Sequence, residues 1–153
     1  MASNSYQVFF TPPQDFTPTM HAAGCYVVYE ERILILQRHK DKFQGSTWGV
    51  PGGKIEQGEQ PVEAVMREVK EEVGIILPIA SLKNIGKLFV RLEAIDYTFE
   101  IFGCMFDQQP QVALELSEHT DFGWFLPEHA KQLPLIQGGF EALDVYLAWK
   151  QKD

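Results

Sequence analysis

The chain has 153 residues, an apolar fraction of 45% and a formal net charge of −8 at pH 7, which suits one domain with a single core over residues 1–153. The acidic balance argues against a polynucleotide partner, whose binding relies on Lys and Arg neutralising phosphates; a small nucleotide can still be held by local cations and a metal. No apolar run approaches a bilayer span and no basic-then-apolar leader opens the chain, so the expectations are no membrane, no signal peptide and a cytoplasmic location.

Residues 1–20, with Pro12, Pro13 and Pro18, read as an extended N-terminal arm. Within it Tyr6-Gln7-Val8-Phe9-Phe10 is too apolar to stand free and is expected to pair with a sheet edge of its own chain or of a second subunit. Residues 22–29 and 32–37 read as two strands of a hairpin around Glu30-Glu31, and 39–49 as a polar loop. A helix is predicted over 61–74, a strand beginning at 75–79, and a long antiparallel pair over 82–92 and 97–106. Residues 107–116 read as loop, 122–126 as a short aromatic strand and 127–131 as a helical turn. A closing helix over 140–150 repeats Phe140, Leu143, Leu147 and Lys150 at helical spacing. Cys25 and Cys104 lie in apolar runs and form no disulfide framework or clustered metal motif, so they read as buried thiols. Strands interspersed with few helices indicate an α/β or α+β sandwich.

The chemistry concentrates between Gly53 and Ile75. Pro61 suits a first helical position and Gly74 the residue just past a helix end. Val62, Val65, Met66, Val69 and Val73 recur at helical spacing and face a core. On the opposite side Glu68, Glu71 and Glu72 fall within roughly a third of the circumference, at about 100° per residue. Like charges one turn apart repel, by about 0.2–0.5 kcal/mol. A divalent cation converts that repulsion into a binding site, since Mg²⁺ and Mn²⁺ favour carboxylate oxygens. An acidic helix face is more often merely solvated. Here the spacing is more specific: Gly-x5-Glu-x7-Arg-Glu-U-x-Glu-Glu-x-Gly-U, with U bulky aliphatic, is met at Gly53, Glu59, Arg67, Glu68, Val69, Glu71, Glu72, Gly74 and Ile75. From average residue frequencies a chance match has odds on the order of one in a billion.

That pattern is the Nudix box. The chain resembles Nudix hydrolases and looks most like their MutT-like branch, the likeness running upstream through Trp48-Gly49-Val50-Pro51-Gly52 and downstream to Trp124. The resemblance implies the Nudix fold, a mixed β-sheet sandwiched between α-helices. It also implies hydrolysis of a nucleoside diphosphate linked to another moiety, with Mg²⁺ or Mn²⁺ as cofactor. Glu68 and Glu72 are then the first metal ligands, Glu71 a third ligand or the holder of metal-bound water, and the Gly52 carbonyl a further oxygen. Arg67 either contacts phosphate or orients acidic side chains through bidentate hydrogen bonds; family precedent and its position before Glu71 favour the second. Glu59 is implied as its partner, while Glu63 lies outside the defined positions and reads as solvated. A further carboxylate, binding metal or taking the proton from water, is sought in Glu115, Glu118 or Asp121. Glu118-His119 followed by Trp124 resembles the Glu-His…Trp segment of many relatives and selects Glu118, with His119 left out of catalysis. The catalytic set is thus Glu118, Glu71 and Arg67. Arg38 and Lys54 are expected to bind substrate phosphate, with plain surface cations as the alternative.

Markers of the ADP-ribose, diadenosine-polyphosphate, coenzyme A and NADH branches are absent. By elimination the expected substrate is a nucleoside triphosphate, unmodified or oxidised, cleaved to the monophosphate and pyrophosphate. A nucleotide sugar or dinucleotide, or a nucleotide-sensing domain without turnover, are the alternatives. Phe89, Tyr97, Phe102, Trp124 and Phe140 either stack on a base or build the core. Many relatives dimerise, so a homodimer is expected.

Overall fold

The computed structural model describes residues 5–93 and 95–152. In chain order the elements are β1 (Tyr6–Phe9), β2 (Pro18–Tyr29), β3 (Arg32–Arg38), β4 (Trp48–Gly49), β5 (Gly52–Lys54) and α1 (Pro61–Val73), then a 3₁₀ turn (Ile79–Ser81). After it come β6 (Leu82–Leu92), β7 (Ile95–Phe106), β8 (His119–Phe125), α2 (Pro127–Ala130) and α3 (Gly139–Gln151). Among the described residues the strands form one sheet in the order β1-β6-β7-β2-β3-β4, with β5 on β2 and β8 on β3. β2 and β7 run parallel and the other pairs antiparallel. This is a mixed-sheet α+β architecture, with α1 on one face of the sheet and α3 on the other, as the resemblance implies.

Alternation along the strands builds both layers. Ala23, Cys25, Val27, Leu34 and Leu36 face Val65, Val69 and Val73 of α1. Their neighbours Tyr26, Val28, Ile33 and Ile35 face Ala142, Leu143 and Tyr146 of α3. Because both faces are covered, Cys25 to Val28 form an uninterrupted buried run. Both cysteines are free and buried.

The site owes its position to a splay in the sheet. β2 and β3 pair only next to their turn, at Val28↔Ile33 and Tyr29↔Arg32, where Glu30 takes a left-handed φ of 53°. Beyond that they separate, and residues 48–54 fill the wedge: β4 pairs with β3, β5 with β2, and Cys25 N–H donates to the Pro51 carbonyl at 3.0 Å. The wedge carries Gly52 and Gly53 to Glu72 and Glu68, in the second half of the sheet-covering helix α1.

Several expectations need correction. Pro18 begins β2, so the arm ends earlier than residue 20. Residues 1–4, 94 and 153 lie outside the described residues. The apolar arm segment does pair with a sheet edge, as expected: β1 joins β6 of its own chain, Tyr6↔Leu92 through Phe9↔Phe89. Residues 75–79 form no strand; Ile75 and Leu77 satisfy their alternation by burial alone, and Pro78 lacks a ladder N–H. The polar loop contains β4, and β8 starts at His119 instead of residue 122. In α3 the buried stripe is Ala142, Leu143 and Tyr146, not one through Phe140, which is 43% exposed. Tyr146 stacks on Tyr26 with centroids 4.7 Å apart, and that contact fixes the helix rotation.

Candidate active site

α1 starts on Pro61, with the Glu63 side chain accepting the Gln60 N–H at 2.8 Å, so Glu63 caps the helix instead of being merely solvated. It stops at Gly74, whose φ of 72° is open to glycine, and whose N–H donates to Lys70 O. The Glu72 and Val73 carbonyls accept from Glu115 and Ala113 N–H groups at 2.8 Å each. Those bonds pin the 107–116 loop to the helix end and bring the chain round to Glu118.

Arg67 stands at the centre of the acidic face. Its Nε and Nη2 donate to the two Glu59 oxygens at 2.7 and 2.9 Å, its Nη1 to Glu68 and Glu71 at 2.9 Å each, and its Nη2 also to the Lys54 carbonyl at 3.0 Å. All N–H groups of the guanidinium are engaged, so in this arrangement it organises carboxylates and has none to offer a phosphate. The Arg67 guanidinium holds the Glu59 carboxyl down to about 2.

Glu72 is 8% exposed, and its Oε1 accepts the Gly52 N–H at 2.8 Å. Burial, opposed by that N–H and reinforced by Glu68 and Glu118, pushes its carboxyl up to about 8. Burial also raises Glu68, against the pull of Arg67. The Glu68 carboxylate lies in a notch over Gly53, where a Cβ would come 2.5 Å from its Cδ. Glu71 is more exposed and bonds Arg67. Glu118 makes an ion pair with Lys42 at 3.4 Å and is coupled electrostatically to both Glu68 and Glu72. Glu115 instead accepts from Ser117, and Asp121 from the Phe122 N–H.

Arg38 donates from Nε to the Phe43 carbonyl at 2.8 Å and draws on Glu72 electrostatically. Arg38 and Lys54 both line a cavity of about 380 Å³ that also takes in Gly52 and Gly53. The structure therefore brings Gly52, Glu68, Glu71, Glu72, Glu118 and Arg67 into one neighbourhood, with Arg38 and Lys54 at the cavity beside it. Of the aromatics weighed from sequence, Tyr97 lines this cavity, whereas Phe102 and Trp124 pack under α1. His119 lines it as well, 4% exposed and opposite Arg38 in the β3–β8 ladder. Burial, then Arg38, pushes its imidazole down to about 4, so it is neutral at pH 7. Nothing local in the sequence marks that burial, because it arises from strand pairing across about eighty residues.

Among the described residues no three His, Cys, Asp or Glu side chains stand together as a ready cation shell. Arg67 draws Glu68 and Glu71 one way, and Gly52 N–H holds Glu72 another. The donor chemistry nevertheless fits a hard divalent cation: buried, mutually repelling carboxylates with backbone brought close by two glycines.

The family model described as NUDIX domain matches residues 18–146. A MutT-like protein of Streptomyces ambofaciens is 30% identical over 82% of this chain and 77% of its own length. The CTP pyrophosphohydrolase of Escherichia coli K12 is 27% identical over 76% of this chain and 83% of its own. Among solved structures, a MutT NUDIX hydrolase from Burkholderia pseudomallei superposes with a TM-score of 0.72 at 26% identity, over 82% of this chain and 95% of that one.

Proposed function

The chain belongs to the NUDIX family of pyrophosphohydrolases, and from that premise we propose that it cleaves a nucleoside triphosphate to the monophosphate and pyrophosphate with Mg²⁺ or Mn²⁺. As a member of that family it is a hydrolase acting on nucleotide derivatives. The observation that carries the finer reading is the buried Glu72 carboxylate, held by Gly52 N–H beside Glu68 and Glu118, at the edge of a cavity of about 380 Å³. A pure sensor has no need of such clustered charge. The volume lies at the small end of the roughly 300–1,000 Å³ range of ligand pockets, which suits one nucleoside better than two. The relative that hydrolyses CTP supports the same class.

Glu68 and Glu72, with Glu71 and the Gly52 carbonyl as further oxygens, would hold a divalent cation, which would supply charge withdrawal from phosphoryl oxygens and a more acidic water. Arg67 keeps Glu68 and Glu71 in position through its hydrogen bonds. Arg38 and Lys54 offset phosphate charge at the cavity rim. Water adds to one phosphorus while the bond to the bridging oxygen breaks; pyrophosphate leaves with the electron pair, and the water proton passes to Glu118. A homodimer and a cytoplasmic location belong to the same proposal; among the described residues no helix is long and apolar enough to cross a membrane. A sedimentation mass of one chain would remove the dimer.

The test is product identity. With Mg²⁺ and a panel of nucleoside triphosphates, nucleotide sugars and dinucleoside polyphosphates, the expected products are monophosphate and pyrophosphate from triphosphates. Release of inorganic phosphate alone, or turnover confined to the sugars or dinucleotides, would overturn the assignment.

A further inference from the structure

Residues 39–47 join β3 to β4, and Phe43 is their one apolar side chain. Phe43 lines the cavity beside the carboxylates yet is 70% exposed, so its ring stands at the rim. The loop that carries it is fixed at several points. Lys42 N–H donates to the His39 carbonyl and Ser46 N–H to the Arg38 carbonyl, at 3.0 Å each. Thr47 Oγ1 donates to the Gln44 carbonyl at 2.7 Å, and Gln44 Oε1 accepts the Gln137 N–H at 2.8 Å from the loop before α3. Gln44 and Ser46 hold left-handed φ values of 56° and 67°, which non-glycine residues keep only where their surroundings impose them. An ordered loop thus holds an apolar ring in water at the edge of the cavity, without the burial that ordinarily stabilises phenylalanine.

We propose that Phe43 is the ring on which the base of the bound nucleotide stacks, and so a residue that sets how tightly the nucleoside part is held. This rests on the nucleotide reading above and adds a binding residue to it. Two contacts place the ring beside the reacting end of the substrate. The Phe43 carbonyl accepts the Arg38 Nε–H at 2.8 Å, and Arg38 is the residue assigned to phosphate. Its neighbour Lys42 pairs with Glu118 at 3.4 Å. A nucleotide whose phosphates meet Arg38 and the carboxylates therefore has its base in the cavity that Phe43 borders. Every nucleobase has a π-face, and stacking it on an aromatic side chain contributes about ten- to hundredfold in affinity. The stack also removes from water the ring that is exposed without a ligand. It lies away from the phosphorus under attack, so it holds substrate and transition state alike and acts on KM.

The experiment compares the wild type, Phe43→Ala and Phe43→Tyr on two substrates with Mg²⁺: the nucleoside triphosphate that the wild type cleaves best, and methyl triphosphate, which has the phosphates and no base. All three proteins keep the backbone carbonyl that holds Arg38. For the nucleotide, Phe43→Ala should raise KM about ten- to hundredfold with kcat within about threefold, and Phe43→Tyr should stay within about threefold of the wild type in both. For methyl triphosphate, kcat/KM should agree within about threefold in all three. An unchanged nucleotide KM in Phe43→Ala, or a Phe43→Tyr as weak as Phe43→Ala, overturns this inference and leaves the nucleotide reading intact. An equal loss on methyl triphosphate overturns it too, because the ring would then act through the loop on Arg38 or Glu118. Calorimetry with an α,β-methylene nucleoside triphosphate gives the same decision without turnover: Kd should rise about tenfold or more in Phe43→Ala, and an equal Kd overturns the stack. Neither turnover nor binding of any nucleotide by the wild type overturns both readings.

Discussion

The backbone N–H of Gly52 donates to Oε1 of Glu72 at 2.8 Å, joining the strand wedge to the helix that carries the acidic face. That bond holds a carboxylate in an almost fully buried place, where its charge is costly unless a cation joins it. Fold and site therefore have opposite interests in Glu72, and this opposition can be measured.

With its carboxyl pushed up to about 8, from an ordinary 4.5, native Glu72 keeps its proton where the unfolded chain has lost it. The native state then binds more protons than the unfolded state between about pH 4.5 and 8, so metal-free stability falls as pH rises through that window. The loss attributable to this group is about 3–5 kcal/mol at most. Thermal melts in chelator at pH 5 and 8.5 should show a fall for the wild type that Glu72→Gln largely removes, since the amide oxygen can still accept from Gly52. Equal pH dependence in both proteins would argue against the buried ionisation.

Arg67→Lys keeps the charge but has one ammonium where five N–H groups are now used. The expected result is a loss of about 1–3 kcal/mol in stability and a drop of about 10² in kcat. A double-mutant cycle with Glu59→Gln should give a coupling of about 0.5–3 kcal/mol. Additive losses would mean that the fork contributes little to orientation.

Gly53→Ala and Gly52→Ala separate site from fold. At Gly53 the new Cβ meets the Glu68 carboxylate at 2.5 Å, the mobile end of a side chain. The protein should fold and need about tenfold more metal for half-maximal rate, a shift of about 1.4 kcal/mol. At Gly52 it meets the Ala23 carbonyl oxygen at 2.3 Å and Gly24 Cα at 2.5 Å, backbone on both counts, so a loss of about 1–3 kcal/mol or more in stability is expected. Melting curves and metal titration of the two variants check the contrast.

Glu118→Gln tests water activation apart from metal holding. As the base, its loss should lower kcat about 10²–10⁴-fold while KM and metal dependence stay nearly unchanged. A higher metal requirement would make Glu118 a ligand. Wild-type kcat would return the role to Glu115, Asp121 or a box glutamate.

The acidic face of α1 was legible because Glu68, Glu71 and Glu72 are related by helix geometry alone, with Pro61 and Gly74 marking the ends. The β6–β7 pair and the α1 stripe followed from the same local periodicities. Three-residue β5 and two-residue β4 carry no period to read; they exist because β2 and β3 splay apart. The 75–79 segment shows alternation without a strand, since burial of Ile75 and Leu77 needs no ladder. The cavity wall draws on residues from 20 to 143, and the burial of His119 depends on its pairing with Arg38. Such long-range placements leave no spacing in the sequence.

The most direct test of the account titrates Mn²⁺ into the wild type, Glu68→Gln and Glu72→Gln, following metal binding by calorimetry and pyrophosphate release from a nucleoside triphosphate on the same samples. The wild type should show coincident half-saturation of binding and rate, and no turnover in chelator until metal is restored. Both variants should need about tenfold more metal or better and lose about 10² in kcat. Undiminished turnover in chelator, or unchanged Mn²⁺ binding in both variants, would contradict the assignment of Glu68 and Glu72 as the groups that hold the ion.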